Sequence, residues 1–141
     1  MKRMILIVDD EERICFVLRN ALRKLDNDVE VETAGTAADA LKKAETCAFD
    51  LIISDLIMPD MDGIELTEKL RDIQCDTPVV WMTAYGCRSF QEDAERLDVY
   101  CCVEKPLEIQ YFRDLAQQAM AREMDDGGNP TGAGSAAPAA G

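Results

Sequence analysis

The sequence contains no histidine. An imidazole base, a phosphohistidine or a histidine-ligated metal must therefore be supplied by another molecule if the chain takes part in such chemistry. Basic residues are scarce: 15 lysines and arginines stand against 28 aspartates and glutamates, a formal net charge of −13. That balance offers no electrostatic footprint for a phosphate backbone, so direct binding to nucleic acid is not expected. No apolar run approaches the ~18 residues of a membrane span, so membrane insertion is not expected. The opening "MKRMILIVDD" has only five apolar residues in a row before charges arrive, which does not read as a secretory leader. C-x-x-C pairs are missing too. The six cysteines (Cys15, Cys47, Cys75, Cys87, Cys101 and Cys102) lack the spacing of a zinc site or redox motif and read as thiols in a reducing cytoplasm.

What is present is a chain of 141 residues, 48% of them hydrophobic, enough for one compact core. Five short apolar runs recur: Met4–Val8, Val29–Thr33, Leu51–Ser54, Pro78–Met82 and Val99–Val103. The first, third and fourth are nearly continuous in apolar residues, as parallel strands buried on both faces are. Helical patterns lie between them. Ile14, Val17, Leu18, Ala21, Leu22 and Leu25 share a face after the acidic start Glu11-Glu12. Thr36 followed by Asp39 marks the start of a second helix ending near Thr46. A third helix follows Gly63 and carries Ile64, Leu66 and Leu70; a fourth covers Ser89 to Leu97. The fifth runs from Glu108 to Met124, with Ile109, Phe112, Leu115, Ala116, Ala119 and Met120 on one face. Strands alternating with helices and joined by right-handed crossovers predict a doubly wound α/β fold with a parallel sheet. After Asp126 the segment "GGNPTGAGSAAPAAG" has no charge and no large apolar side chain, so residues 125–141 read as a disordered tail or linker stub beyond a domain of residues 1–124.

Ligands of open α/β sheets sit at the carboxyl ends of the strands. There the chain places Asp9-Asp10, Asp55, Thr83-Ala84 and Lys105-Pro106. Clustered carboxylates repel one another until protonation, an ammonium or a hard cation relieves them. An oxygen-only cluster favours Mg²⁺, and Mg²⁺ beside a carboxylate nucleophile points to phosphoryl transfer.

In this order and spacing, "ILIVDDEE", "IISDLIMPDMDG", "TAYG" and "VEKP" resemble the receiver domain of two-component response regulators over residues 1–124. The resemblance implies a flavodoxin-like, chemotaxis-regulator-like sheet of five parallel strands in the order 2-1-3-4-5 with five helices. It implies that Asp55 accepts a phosphoryl group from a sensor histidine kinase or phosphotransfer protein. Asp10, Asp55 and the Ile57 carbonyl would bind Mg²⁺ directly and Asp9 through water. Thr83 and Lys105 would contact the phosphoryl group. Pro106 matches a cis-peptide position, and Met58-Pro59 with Asp62-Gly63 would shape the loop presenting Ile57. Such a chain would catalyse its own phosphorylation and slow dephosphorylation without being a dedicated enzyme. It would switch the affinity of a downstream protein for the face of the fourth helix, fifth strand and fifth helix.

Two departures from the family pattern stand out. Cys102 occupies the position where receivers usually carry a switch aromatic; Tyr100, two residues earlier, is expected on the same strand face, about 7 Å away. Ile57 and Tyr85 stand at positions that tune dephosphorylation, and as apolar and bulky residues they predict a long-lived phosphoform. The alternative function is an unphosphorylated receiver-like protein-interaction module. An aspartyl-nucleophile hydrolase fits less well, because "DLIMPD" replaces its D-x-D. A flavin protein fits poorly as well, because Asp9-Asp10-Glu11-Glu12 would repel a phosphate.

Overall fold

The computed structural model describes residues 2–25, 28–73 and 76–124, the last three of them by backbone only. The proposed tail, residues 125–141, lies outside the described residues, as does Cys75. The elements follow one another as β1 (Arg3–Val8), α1 (Glu12–Arg23), β2 (Val29–Ala34), α2 (Ala37–Thr46), β3 (Leu51–Asp55), α3 (Gly63–Ile73), β4 (Val79–Thr83), a 3₁₀ turn (Cys87–Phe90) running into α4 (Gln91–Arg96), β5 (Cys101–Glu104) and α5 (Ile109–Met124). The strands form one parallel sheet in the order β2-β1-β3-β4-β5, the doubly wound order expected from the motifs.

β3 and β4 are buried along their whole length, which is why Leu51–Ser54 and Val79–Met82 show no alternation of polar residues. One face of the sheet, with Ile5, Ile7, Ile53 and Met82, packs against Leu18 and Leu22 of α1 and Phe112, Leu115 and Ala119 of α5. The other, with Leu6, Val8, Ile52 and Trp81, packs against Ala40 and Ala44 of α2 and Leu66 and Leu70 of α3. Small residues on α2 let that helix lie close to the sheet.

Helix starts are set by side chains that satisfy orphan N–H groups. The Thr36 hydroxyl accepts from the Asp39 N–H at 3.1 Å, and the Asp62 carboxylate accepts from the Glu65 N–H at 2.7 Å. Val17, expected in the buried stripe of α1, is 46% exposed. Its place at the margin of the stripe points it past the core, while Cys15 on the other margin packs inward.

The start of β5 also differs from expectation. The strand begins at Cys101 rather than Val99, because Asp98 adopts a left-handed backbone (φ 57°) and the chain bends before pairing. The Arg71 guanidinium fastens this bend by donating to the carbonyls of Leu97, Asp98 and Thr77 at 2.9, 3.0 and 2.6 Å. Tyr100 lies in the bend, outside the regular alternation. Its side chain packs with the α1/α5 cluster while Cys102 packs with the α2–α4 cluster. The expectation that the two share a face is therefore wrong.

Candidate functional site

Each site residue sits where its strand stops. Asp9 and Asp10 follow β1, Asp55 ends β3, Thr83 ends β4 and Lys105 follows β5. Pairing of β1 with β3 brings the first two acids beside the third, and carboxylate oxygens of Asp9, Asp10 and Asp55 all lie within 4.8 Å of one another. Asp9 and Asp55 are buried, at 1% and 6% exposure, while Asp10 is exposed.

Lys105 closes the crevice. Its Nζ donates to Asp9 Oδ2 at 3.1 Å and to Asp55 Oδ2 at 3.3 Å, with Glu11 Oε1 at 3.9 Å. The backbone helps to place it, because the Lys105 N–H donates to the Thr83 carbonyl at 2.7 Å. Burial pushes the Asp9 carboxyl above its usual range and repulsion from Asp55 adds to this, against the Glu11 N–H and Lys105, which favour the ionised form. Burial alone would lower Lys105, but its bonds to Asp9 and the charge of Asp55 outweigh burial and raise it. The ammonium is thus firmly protonated and offsets part of the acidic repulsion.

The hydroxyl of Thr83 is buried and accepts from the Tyr85 N–H at 3.0 Å. Ala84, Ile57 and Tyr85 line the exposed rim, Ile57 with its N–H toward Asp55 Oδ1 at 3.3 Å. The Lys105–Pro106 peptide is cis.

The loop after Asp55 is held at both ends. The Gly63 N–H donates to the Leu56 carbonyl at 2.7 Å, and a Cβ on Gly63 would come within 2.6 Å of the Asp55 carbonyl oxygen and 2.8 Å of the Leu56 Cα. Only glycine fits this approach. In the middle of the loop, Asp60 accepts from the N–H groups of Ala37 and Ala38 at 3.2 and 3.1 Å, so that its carboxylate closes the first turn of α2. Those bonds hold the Asp60 carboxyl below its usual range. Sequence reasoning missed this clamp; the only signal was a second acid in "MPDMDG".

A buried relay supports the loop from beneath. Trp81 Nε1–H donates to Thr67 Oγ1 at 2.8 Å, and the Thr67 hydroxyl donates to the Gly63 carbonyl at 2.7 Å. The relay connects β4, which carries Thr83, to the glycine that lets the Asp55 loop close.

A five-stranded parallel sheet with an acidic crevice and a lysine at its strand ends defines a receiver-type signalling domain. Residues 5–117 match the family described as the response regulator receiver domain, and the chain belongs to that family. Among relatives, it is 43% identical over 84 residues to the alkaline phosphatase synthesis transcriptional regulatory protein PhoP of Bacillus subtilis, covering 60% of this chain and 34% of that one. It is 35% identical over 117 residues to the sensor protein EvgS of Escherichia coli, covering 83% of this chain and 10% of that one. The chain thus spans only a minor part of these relatives. Among solved structures, a CheY-like response regulator receiver domain protein from Methanospirillum hungatei superposes with a TM-score of 0.83 at 25% identity, over 89% of this chain and 99% of the other. The chemotaxis protein CheY4 of Vibrio cholerae superposes with a TM-score of 0.77 at 28% identity, over 84% and 99%. Among the described residues no helix is long and apolar enough to cross a membrane.

Proposed function

We propose that the chain is a phosphorylation-controlled switch of the cytoplasm in which Asp55 accepts a phosphoryl group from the phosphohistidine of a sensor histidine kinase or phosphotransfer protein. The observation that carries this reading is the convergence of three carboxylates with one lysine shared between two of them. A carboxylate oxygen of Asp55 attacks the phosphorus, the phosphorus–nitrogen bond breaks, the imidazole stays with the donor, and the product is an acyl phosphate. The chain has no histidine of its own, so the donor is a different molecule or segment.

The donor set fits Mg²⁺: carboxylate oxygens, and neither imidazole nor thiolate within the cluster. Asp10, Asp55 and the Ile57 carbonyl would hold the ion, with Asp9 acting through water. When bound, it neutralises charge on the phosphoryl oxygens during transfer. Lys105 then exchanges its contact with Asp55 for a phosphoryl oxygen, as a point charge. Thr83 accepts the Tyr85 N–H and retains its own O–H to donate to the phosphoryl group. The exposed Ile57 and Tyr85 flank the path of an attacking water and slow hydrolysis. The added charge shifts the Thr83 and Ala84 segment and so alters partner affinity at the face of α4, β5 and α5.

One observation favours the second reading, a constitutive interaction module: Cys102, and not an aromatic, fills the switch position. Hydroxylamine separates the readings chemically. Protein incubated with acetyl phosphate and Mg²⁺ should carry one phosphoryl group that hydroxylamine removes, as an acyl phosphate requires. A protein that stays unlabelled, or a label that survives hydroxylamine, contradicts the switch.

A further inference from the structure

Cysteines 87 and 102 come from different elements and meet on one face of the sheet. Cys102 is buried (7% exposed) on β5 opposite Trp81 of β4, in the cluster that also receives Cys87 and Phe90 from the 3₁₀ turn. Alternation along β5 puts Glu104 on the side of Cys102. The Glu104 carboxylate accepts from the Cys87 N–H at 3.1 Å, which anchors the start of the turn over that strand. The two thiols then lie close enough to perturb each other's ionisation. Cys101 faces the opposite cluster, with α5.

We propose that Cys87 and Cys102 are a built dithiol pair that forms a reversible disulfide, tying the 3₁₀ turn ahead of α4 to β5. Three features support it. The two side chains pack in one cluster and Glu104 holds the Cys87 N–H over β5, so closure to the roughly 2.05 Å of a disulfide is a local movement. No residue of the 3₁₀ turn is buried, so the turn can move toward the strand without opening the core. Cys87 is partly exposed and can be reached by a small reagent, whereas Cys102 is buried.

Exposure and the mutual influence of the two thiols order the chemistry. Burial raises both thiols, but the neighbouring thiol favours the thiolate at Cys87 and holds the proton on Cys102. The oxidant is a low-molecular-weight disulfide. The Cys87 thiolate attacks one of its sulfurs, forming a mixed disulfide and releasing one small thiolate. Cys102, after losing its proton to solvent, attacks Cys87 Sγ and expels the second. Two protein thiols and one small disulfide become one protein disulfide and two small thiols. In a reducing compartment such a bond is transient and responsive rather than structural. Its consequence is a fixed α4–β5 face, and only the effect of that fixing on partner binding rests on the switch reading above.

The test is glutathione equilibration of the full chain, followed by acid quenching, alkylation and peptide mapping. Of six cysteines, two should become unavailable to alkylation, in peptides joined through Cys87 and Cys102, and dithiothreitol should restore them. Cys87→Ser and Cys102→Ser should each lose the cross-link. Cys102→Ala, which keeps the site apolar, guards against misfolding of the serine variant, and Cys101→Ser should retain the cross-link. Amide exchange over residues 87–97 should slow severalfold on oxidation, in wild type and in Asp55→Asn alike, so the result does not depend on whether Asp55 is phosphorylated. A lasting glutathione adduct on Cys87 without a cross-link, a bond between other cysteines, or six alkylatable thiols overturns the pair. A Cys87–Cys102 bond without slowed exchange overturns the tie to α4. A bond that forms in a chain that acetyl phosphate never labels supports the pair while removing the switch reading.

Discussion

Lys105 donates to Asp9 at 3.1 Å although 96 positions separate them, and the same ammonium reaches Asp55 at 3.3 Å. One lysine thus holds the first strand's acid and the third strand's acid from the fifth strand. The arrangement relieves repulsion when no other cation is near. Lys105→Met should lower unfolding stability in EDTA by about 1–3 kcal/mol, since it leaves two buried acceptors short of a donor. Added Mg²⁺ should raise the melting midpoint of the variant more than that of wild type, because no ammonium competes with it. Equal Mg²⁺ shifts in calorimetry would show that the lysine and the metal do not share the carboxylates.

The relay from Trp81 through Thr67 to Gly63 predicts a stability effect independent of the acidic crevice. Thr67→Val keeps the shape and removes the hydroxyl, orphaning the buried indole N–H and taking the side-chain donor from the Gly63 carbonyl. The cost should be about 1–3 kcal/mol in urea unfolding. Trp81 is the only tryptophan, so its emission reports the change directly.

Gly63→Ala tests the close approach beneath the Asp55 loop. The added methyl meets backbone atoms at 2.6 and 2.8 Å, which cannot rotate away, so the loop has to shift. Labelling of Asp55 by acetyl phosphate should fall at least tenfold while circular dichroism still reports the α/β fold.

Asp60 supplies the pH prediction. Its carboxyl is depressed from 3.8 by the Ala37 and Ala38 N–H groups, so its stabilising contribution is complete above that value and is lost as pH falls through the lower folded value. Asp60→Ala should therefore unfold at lower urea than wild type at pH 6, and the gap should close toward pH 3. A gap that persists unchanged at pH 3 would mean that the carboxylate is not the capping group.

Much of this molecule is legible in its sequence, for identifiable reasons. Strands buried on both faces have continuous apolar runs, as at Leu51–Ser54, and parallel topology sends every strand end to one edge, so Asp9, Asp10, Asp55, Thr83 and Lys105 could be grouped before any coordinates. The Thr36 cap was visible because capping is local. What escaped depends on contacts between distant segments or on breaks in periodicity. Val17 sits at the margin of a helical stripe, where a small rotation decides burial. Strand alternation predicts a shared face for Tyr100 and Cys102, but the left-handed Asp98 delays the strand until Cys101. Asp60 looks like a turn acid until α2 is placed beside it, and nothing in linear spacing joins Cys87 to Cys102.

Exposed Ile57 and Tyr85 predict a phosphoform that decays slowly. Ile57→Asn or Tyr85→Glu should accelerate loss of the phosphoryl group severalfold by orienting water at the rim. Rapid decay in wild type, unchanged in both variants, would mean that neither side chain controls access.

The central claim is that Asp55 is a Mg²⁺-dependent phosphoacceptor. Intact-mass spectrometry after incubation with acetyl phosphate, with and without Mg²⁺, on wild type and Asp55→Asn, tests it most directly. A gain of one phosphoryl group that requires Mg²⁺ and disappears in the variant is the predicted result. A folded wild type that binds Mg²⁺ and gains nothing, or a variant labelled as well as wild type, would contradict it.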